Sequence, residues 1–263
     1  RMLHQRWIYS YKGFTGQLYR TELSLDKTSV FTLHSFKFTD GCVWNDLPKG
    51  KLIVTGGLDA IGTGTADVNC IDTFRDQAVV ALTPLIYPRK FHGAAYYRGW
   101  LYVAGGFYGD FINKCERFDF ASSTWEEFQP IPIFVCAPSL IVCEEAEGLF
   151  TLGGFCDNFE KTDKMLKLSL KSLTWTILAL KMPMLCSNIA AFKLDEAKVY
   201  FVLSGMLYCF NALAETISPL KEVSKTVESF RSPSYFYGGV LYCSSVEGAA
   251  EKLELGSLYE RSC

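Results

Sequence analysis

The stretch "WLYVAGGFYG", residues 100–109, places two glycines directly after an apolar run. The same arrangement occurs in "KLIVTGGLDA", residues 51–60, and in "GLFTLGGFCD", residues 148–157. The glycine pairs begin at positions 56, 105 and 153, at intervals of 49 and 48 residues. A landmark that recurs at a fixed interval indicates a structural repeat, so the sequence predicts one supersecondary unit about every 50 residues.

A Thr-Trp pair is a second landmark with the same period. Trp125 lies in "ERFDFASSTWEEFQPIP" and Trp175 lies in "LKLSLKSLTWTILALKMP", 50 residues further along. Two independent landmarks that share one period fix the register of the repeat.

The order of these features resembles the kelch motif. In that motif an apolar strand ends in Gly-Gly, a variable loop follows, and a Trp-bearing strand comes before proline. Residues 100–132 match this order closely, whereas residues 68–88 have no Trp, residues 199–211 keep only Gly205, and residues 241–245 have serines in place of both glycines. The resemblance implies an all-β propeller in which each repeat is one four-stranded antiparallel blade.

The number of blades follows from the number of strands. If strands a to d run from the inside of a blade to the outside, residues 7–35 supply b, c and d, and residues 230–258 supply a, b and c. Because both partial blades contain b and c, we predict six blades, with five as the alternative. The predicted single domain, 1–263, divides at approximately 1–40, 41–90, 91–137, 138–185, 186–229 and 230–263. The inner strand of the first blade is expected from residues 1–6, from "YERSC" at 259–263, or from a longer chain, since the sequence begins with Arg.

The repeated glycines and tryptophans are interpreted as packing residues. Glycine permits a neighbouring backbone to approach closely and tolerates backbone angles that other residues avoid. The tryptophans are expected to pack between adjacent blades. The structural set is Gly56, Gly57, Gly105, Gly106, Gly153, Gly154, Trp125 and Trp175.

The composition excludes several classes of protein. The net charge of −2 gives no basic excess for nucleic acid, and no apolar run is long enough for a transmembrane helix. Most of the ten cysteines lie in apolar runs without Cys-x-x-Cys spacing, and there are only three histidines, so no metal site is expected. Cysteines of this kind are typical of a reducing, cytoplasmic protein, with a disulfide between neighbouring strands as the alternative.

Few residues are candidates for chemistry. The Gly-rich stretch 57–67 lacks the Lys-Ser/Thr ending of a phosphate-binding loop and reads as a connection between strands b and c. Arg89 and His92 stand at the entry to an inner strand and are the two candidates for a ligand contact, on the face opposite to the b–c loops. No catalytic residue and no cofactor is predicted.

The b–c loops are the predicted partner surface, because loops on a rigid scaffold carry function. Their aromatic, acidic and amide side chains suit contact with a protein. Phe111 and Phe159 are the expected anchors; the alternative is that both rings fold back on their own blades. The full predicted partner-binding set is Tyr108, Asp110, Phe111, Asn113, Asp157, Asn158, Phe159, Arg89 and His92.

The sequence therefore predicts a protein–protein interaction module, a scaffold or substrate-recognition domain of a larger protein, since kelch relatives commonly serve as adaptors or cytoskeletal scaffolds. Two alternatives stay open: a sugar epimerase or oxidase on the same fold, and a cytoskeletal or axonemal structural component. The fold alone does not decide between them.

Overall fold

Six small antiparallel sheets follow one another along the chain. The computed structural model describes residues 7–75, 78–194, 197–223, 234–243 and 251–256. The first sheet contains β1 (Trp7–Tyr11), β2 (Gln17–Glu22) and β3 (Lys27–Thr32), and the second contains β4 (Val43–Leu47), β5 (Lys51–Thr55), β6 (Val68–Asp72) and β7 (Val79–Ala81). The third contains β8 (Gly93–Tyr97), β9 (Trp100–Ala104), β12 (Cys115–Asp119) and β13 (Thr124–Phe128), with the small hairpin of β10 (Phe107–Tyr108) and β11 (Asp110–Phe111) in its b–c loop.

The remaining three sheets have the same antiparallel order. The fourth contains β14 (Ser139–Cys143), β15 (Gly148–Leu152), β16 (Thr162–Ser169) and β17 (Trp175–Cys186). The fifth contains β18 (Ala190–Lys193), β19 (Lys198–Leu203), β20 (Met206–Asn211) and β21 (Thr216–Glu222). The sixth contains β22 (Tyr235–Tyr237), β23 (Val240–Cys243) and β24 (Glu251–Glu254).

This series of sheets confirms the predicted all-β fold, a six-bladed β-propeller with almost no helix. Among the described residues the only helical element is a 3-10 turn at Asp157–Phe159. The first and sixth sheets each have three described strands, in the positions that the repeat predicts for b, c, d and for a, b, c. Residues 1–6 and 259–263, which were expected to supply the inner strand of the first blade, lie outside the described residues.

The chain forms two compact units. Unit 1 consists of Arg1–Phe38, Cys143–Ala146 and Ile189–Cys263, and unit 2 of Thr39–Val142 and Glu147–Asn188. Unit 2 therefore contains the second and third sheets and nearly all of the fourth. Unit 1 contains the first, fifth and sixth sheets.

In unit 2 the sheets pack face to face through apolar side chains. Ile53 and Val68 of the second sheet lie in one buried cluster with Leu101 and Phe118 of the third. Trp125 packs against this cluster, and its indole Nε1–H donates to the carbonyl of Thr83, 2.8 Å away.

The next pair of sheets repeats this arrangement. Trp175 is buried in a cluster that joins Tyr102 and Ile131 of the third repeat to Leu149 and Leu166 of the fourth sheet. The Thr-Trp landmark thus marks the contact between each of these sheets and the preceding one.

In unit 1 the sixth sheet lies between the fifth and the first. Leu207 of the fifth sheet shares a buried cluster with Leu241 of the sixth. Tyr242 of the sixth sheet packs with Ile8 and Leu23 of the first. The two ends of the described chain are therefore in direct apolar contact.

A row of backbone hydrogen bonds joins equivalent positions of successive repeats in unit 2. The amide of Phe91 donates to the carbonyl of Gly41 (2.8 Å), the amide of Ala137 to that of Phe91 (2.6 Å), and the amide of Asn188 to that of Ala137 (3.5 Å). Each of these residues stands two positions before the first strand of a sheet, and each has a left-handed backbone with φ between +51° and +76°. We call this row the backbone belt.

Candidate functional site

The glycine pairs hold the incoming chain of the next repeat against the sheet. The amides of Gly57, Gly106 and Gly154 donate to the carbonyls of Arg89, Val135 and Cys186 respectively, at 3.1, 2.9 and 2.8 Å. A Cβ on the first glycine of each pair would stand 2.2–2.5 Å from that same carbonyl oxygen. The close approach of backbone therefore explains why both positions are glycine.

The second glycine of each pair also faces the chain that enters its own sheet. A Cβ at Gly106 would lie 2.8 Å from the carbonyl oxygen of Lys90 and 3.0 Å from Cβ of His92. Each pair is thus enclosed between two d–a connections, the segments that lead from the last strand of one sheet to the first strand of the next. As a result the b–c loops and the d–a connections of unit 2 lie beside each other.

Arg89 forms a buried ion pair with Glu116. Its Nη2 lies 2.6 Å from Glu116 Oε1, and neither side chain is exposed. Its remaining donors bond the carbonyls of Gly105 and Lys114 at 2.7 and 2.9 Å, and that of Tyr87 at 3.1 Å. Burial raises the pKa of Glu116 and lowers that of Arg89, while their mutual attraction opposes both changes. This pair fastens a d–a connection to β9 and β12.

His92 is also enclosed in the protein. Its side chain is 1% exposed, and Nε2 lies 2.8 Å from the hydroxyl of Thr55 in the second sheet. Arg89 and His92 were predicted as ligand contacts, and the structure places both in the interior.

The expectation that Arg89 and His92 stand on the face opposite to the b–c loops is wrong. Lys90, which lies between them, exchanges two backbone hydrogen bonds with Phe107 of the b–c loop, at 3.0 and 2.8 Å. The physical reason is the antiparallel order of the four strands. Strands b and d end on the side of the sheet where strands a and c begin, so the b–c and d–a connections lie at the same end of the strands.

At this end of the strands, the aromatic side chains of the b–c loops of the third and fourth sheets meet. The ring of Phe159 lies 4.8 Å from that of Phe111 and 5.6 Å from that of Phe107, centroid to centroid. Phe111 is buried and packs beside Cys136, but Phe159 is 64% exposed. Phe111 therefore supports the cluster from below, and Phe159 covers it on the solvent side.

The backbone is strained at the tip of the b–c loop between β15 and β16. Asn158 and Phe159 have φ of +73° and +57°, a left-handed region that a bulky residue rarely adopts. Such strain persists only where the surrounding structure imposes it, and it is frequent at functional sites.

The other predicted partner residues are at or near the surface. Tyr108, Asp110, Asp157 and Asn158 are exposed, and Asn113 is half-buried. Asp110 also accepts a hydrogen bond from the amide of Phe111, 2.7 Å away.

Residues 88–132 match the family model of the Kelch motif. Together with the propeller fold, this match supports a kelch-repeat protein. The matched segment begins one residue before Arg89 and ends in the d–a connection after β13.

Sequence reasoning missed several residues at the loop end of these sheets. Ile61 in the b–c loop of the second sheet, Phe134 in the d–a connection after β13, and Leu185, next to the last residue of β17, are large exposed apolar side chains. Phe134 and Leu185 each come directly before the residue whose carbonyl accepts from a glycine pair. The repeat register could have revealed them. We call the exposed apolar residues of this edge the loop face: Ile61, Tyr108, Phe134, Phe159 and Leu185.

No helix in the described part of the chain is long and apolar enough to cross a membrane. No group of three or more His, Cys, Asp or Glu side chains among the described residues is placed to hold a metal ion.

Proposed function

We propose that this kelch propeller is a protein–protein interaction module whose partner binds the loop face of unit 2. The observation that carries the proposal is the concentration of exposed apolar side chains on one edge of three consecutive sheets. Isolated surface hydrophobics are ordinary, but several at one edge favour a binding site.

The lengths of the connections support the same edge. In unit 2 the b–c loops are long, whereas β19 and β20 of the fifth sheet are joined by the two-residue turn Ser204–Gly205. The chain has therefore kept its longest described b–c connections where the exposed aromatic side chains lie.

Truncating the tip of the cluster is expected to weaken partner binding without loss of stability. Phe159→Ala removes an exposed ring, so the melting temperature should stay close to that of the wild type, while retention of the partner should fall at least about tenfold if Phe159 is a main anchor. Affinity capture from a cell extract, read out by quantitative mass spectrometry, measures the second effect. Leu213→Ala is the matched control, because Leu213 is 58% exposed in the fifth sheet of unit 1.

Truncation of the buried neighbour Phe111 should instead lower the stability of the fold. Phe111→Ala removes a buried ring and should cost about 3 kcal/mol of unfolding free energy.

The proposal fails if Phe159→Ala and Leu213→Ala retain the same proteins as the wild type.

We further propose a scaffold or substrate-recognition role in a reducing, cytoplasmic setting. Eight described cysteines are in the reduced state, which supports this location, although Cys209 takes part in a disulfide. This disulfide is compatible with the alternative that the cysteine pattern left open, which was a disulfide between neighbouring strands.

The buried thiols should be unreactive in the folded protein. Burial raises the pKa of Cys115 to about 11 and that of Cys186 to about 12, so less than about 1% of either is thiolate at pH 8. Native alkylation followed by peptide mapping should label the half-buried Cys156 first and these two only after denaturation. Equal labelling rates for all three would contradict the packing described for β12 and β17.

A further inference from the structure

The b–c loops of unit 2 are acidic as well as apolar. Residues 57–67, 107–113 and 155–163 contain six carboxylates and one basic residue, Lys161. In each loop an exposed carboxylate stands two residues from a residue of the loop face: Asp59 with Ile61, Asp110 with Tyr108, and Asp157 with Phe159.

Three cations of unit 2 are engaged with groups other than these three carboxylates. Lys181 is paired with Asp163 at 2.9 Å, and Arg89 is buried against Glu116. The ammonium of Lys90 donates to the carbonyl of Gly62 at 2.8 Å. Asp59 accepts hydrogen bonds from the hydroxyl and amide of Thr63, which lower its pKa and keep it ionised at neutral pH.

This arrangement favours one chemical class of partner. An acidic segment would meet like charges around each apolar contact, and a wholly apolar segment would desolvate the carboxylates without pairing them. A basic segment satisfies both features, because the stems of Lys and Arg cover apolar surface while their cations reach the carboxylates.

We infer that the partner presents to the loop face a basic segment in which Lys or Arg alternates with large apolar side chains. The inference rests on the proposed function, since it names the chemistry of the partner at the same surface.

Three short fluorescent peptides test the inference. All have the same Leu and Tyr positions, and the intervening residues are all Lys, all Glu or all Ser. Fluorescence anisotropy with the whole chain should show binding of the Lys peptide at least about tenfold tighter than of the others. Its affinity should fall as ionic strength rises and the screening length contracts to about 8 Å.

Two matched double variants locate the charges. Asp110→Asn with Asp157→Asn should weaken the Lys peptide about three- to tenfold, the expectation for two exposed ion pairs. Glu145→Gln with Glu147→Gln removes the same charge from the turn between β14 and β15, at the other edge of the fourth sheet, and should leave binding unchanged. Melting temperatures of both variants are measured in parallel.

The outcomes separate this inference from the proposed function. If the Ser or Glu peptide binds as tightly as the Lys peptide and Phe159→Ala abolishes that binding, the loop face docks a partner but the basic class is wrong. If no peptide binds, the inference is also overturned, and the capture experiment alone decides the proposed function. If the Lys peptide binds but neither Phe159→Ala nor the Asp110/Asp157 variant weakens it, the peptide binds elsewhere and the inference fails, while the capture experiment still decides the proposed function.

Discussion

Replacement of Arg89 by Met is expected to lower the unfolding free energy by about 3–5 kcal/mol, because it leaves the carboxylate of Glu116 buried without its partner. It also removes the donors that bond the carbonyls of Gly105, Lys114 and Tyr87. Urea denaturation followed by tryptophan fluorescence measures the loss.

A double-mutant cycle separates the ion pair from these other bonds. Arg89→Met combined with Glu116→Leu removes both charges, so the double variant should lose less than the sum of the two single losses, by at least about 1 kcal/mol. Strictly additive losses, or an Arg89→Met variant within about 1 kcal/mol of the wild type, would show that the pair does not fasten the d–a connection.

Gly106→Val is the second change with a large expected effect, a loss of roughly 2 kcal/mol or more. The new side chain meets the carbonyl of Lys90 and the β-carbon of His92 at 2.8 and 3.0 Å, on a backbone with φ of +107°. Neither neighbour can move freely, since Lys90 is hydrogen-bonded to Phe107 and His92 contacts Thr55.

Gly109→Val is the control for adding a valine side chain at a positive φ where no other atom stands close. Gly109 also has a positive φ, +70°, but an added Cβ there meets nothing within 4 Å. The loss for Gly106→Val should exceed that for Gly109→Val by about 1–3 kcal/mol, the cost of overpacking. Equal melting temperatures for the two variants would exclude the close approach as the reason for the glycine pair.

The fold could be predicted from sequence because its landmarks are repeated. The glycine pairs and Trp residues are required by contacts that recur once per sheet. Each copy of the motif therefore supports the interpretation of the other copies. The ion pair between Arg89 and Glu116 could not be predicted in this way, since it joins residues 27 positions apart and no second buried Arg–Glu pair occurs in the described repeats. Only the structure brings its two members together.

The candidate site was harder to predict for a local reason. Phe111 and Phe159 align one repeat apart, which suggested equivalent roles. The β10–β11 hairpin turns Phe111 inward, however, whereas the left-handed turn at Asn158 and Phe159 turns the second ring towards solvent. The side to which a loop residue points depends on such backbone detail, which periodicity does not report.

The backbone belt has a consequence for how freely repeats of this kind can diverge. Its four described positions are occupied by Gly41, Phe91, Ala137 and Asn188, which share no side-chain chemistry. The bonds join amides to carbonyls, so they require a left-handed backbone rather than a particular side chain. Phe91, Ala137 and Asn188 can therefore be replaced by other residues that adopt this conformation without unlinking the neighbouring repeats, whereas a side chain at Gly41 would meet Lys90 and Phe91 at 2.8 Å.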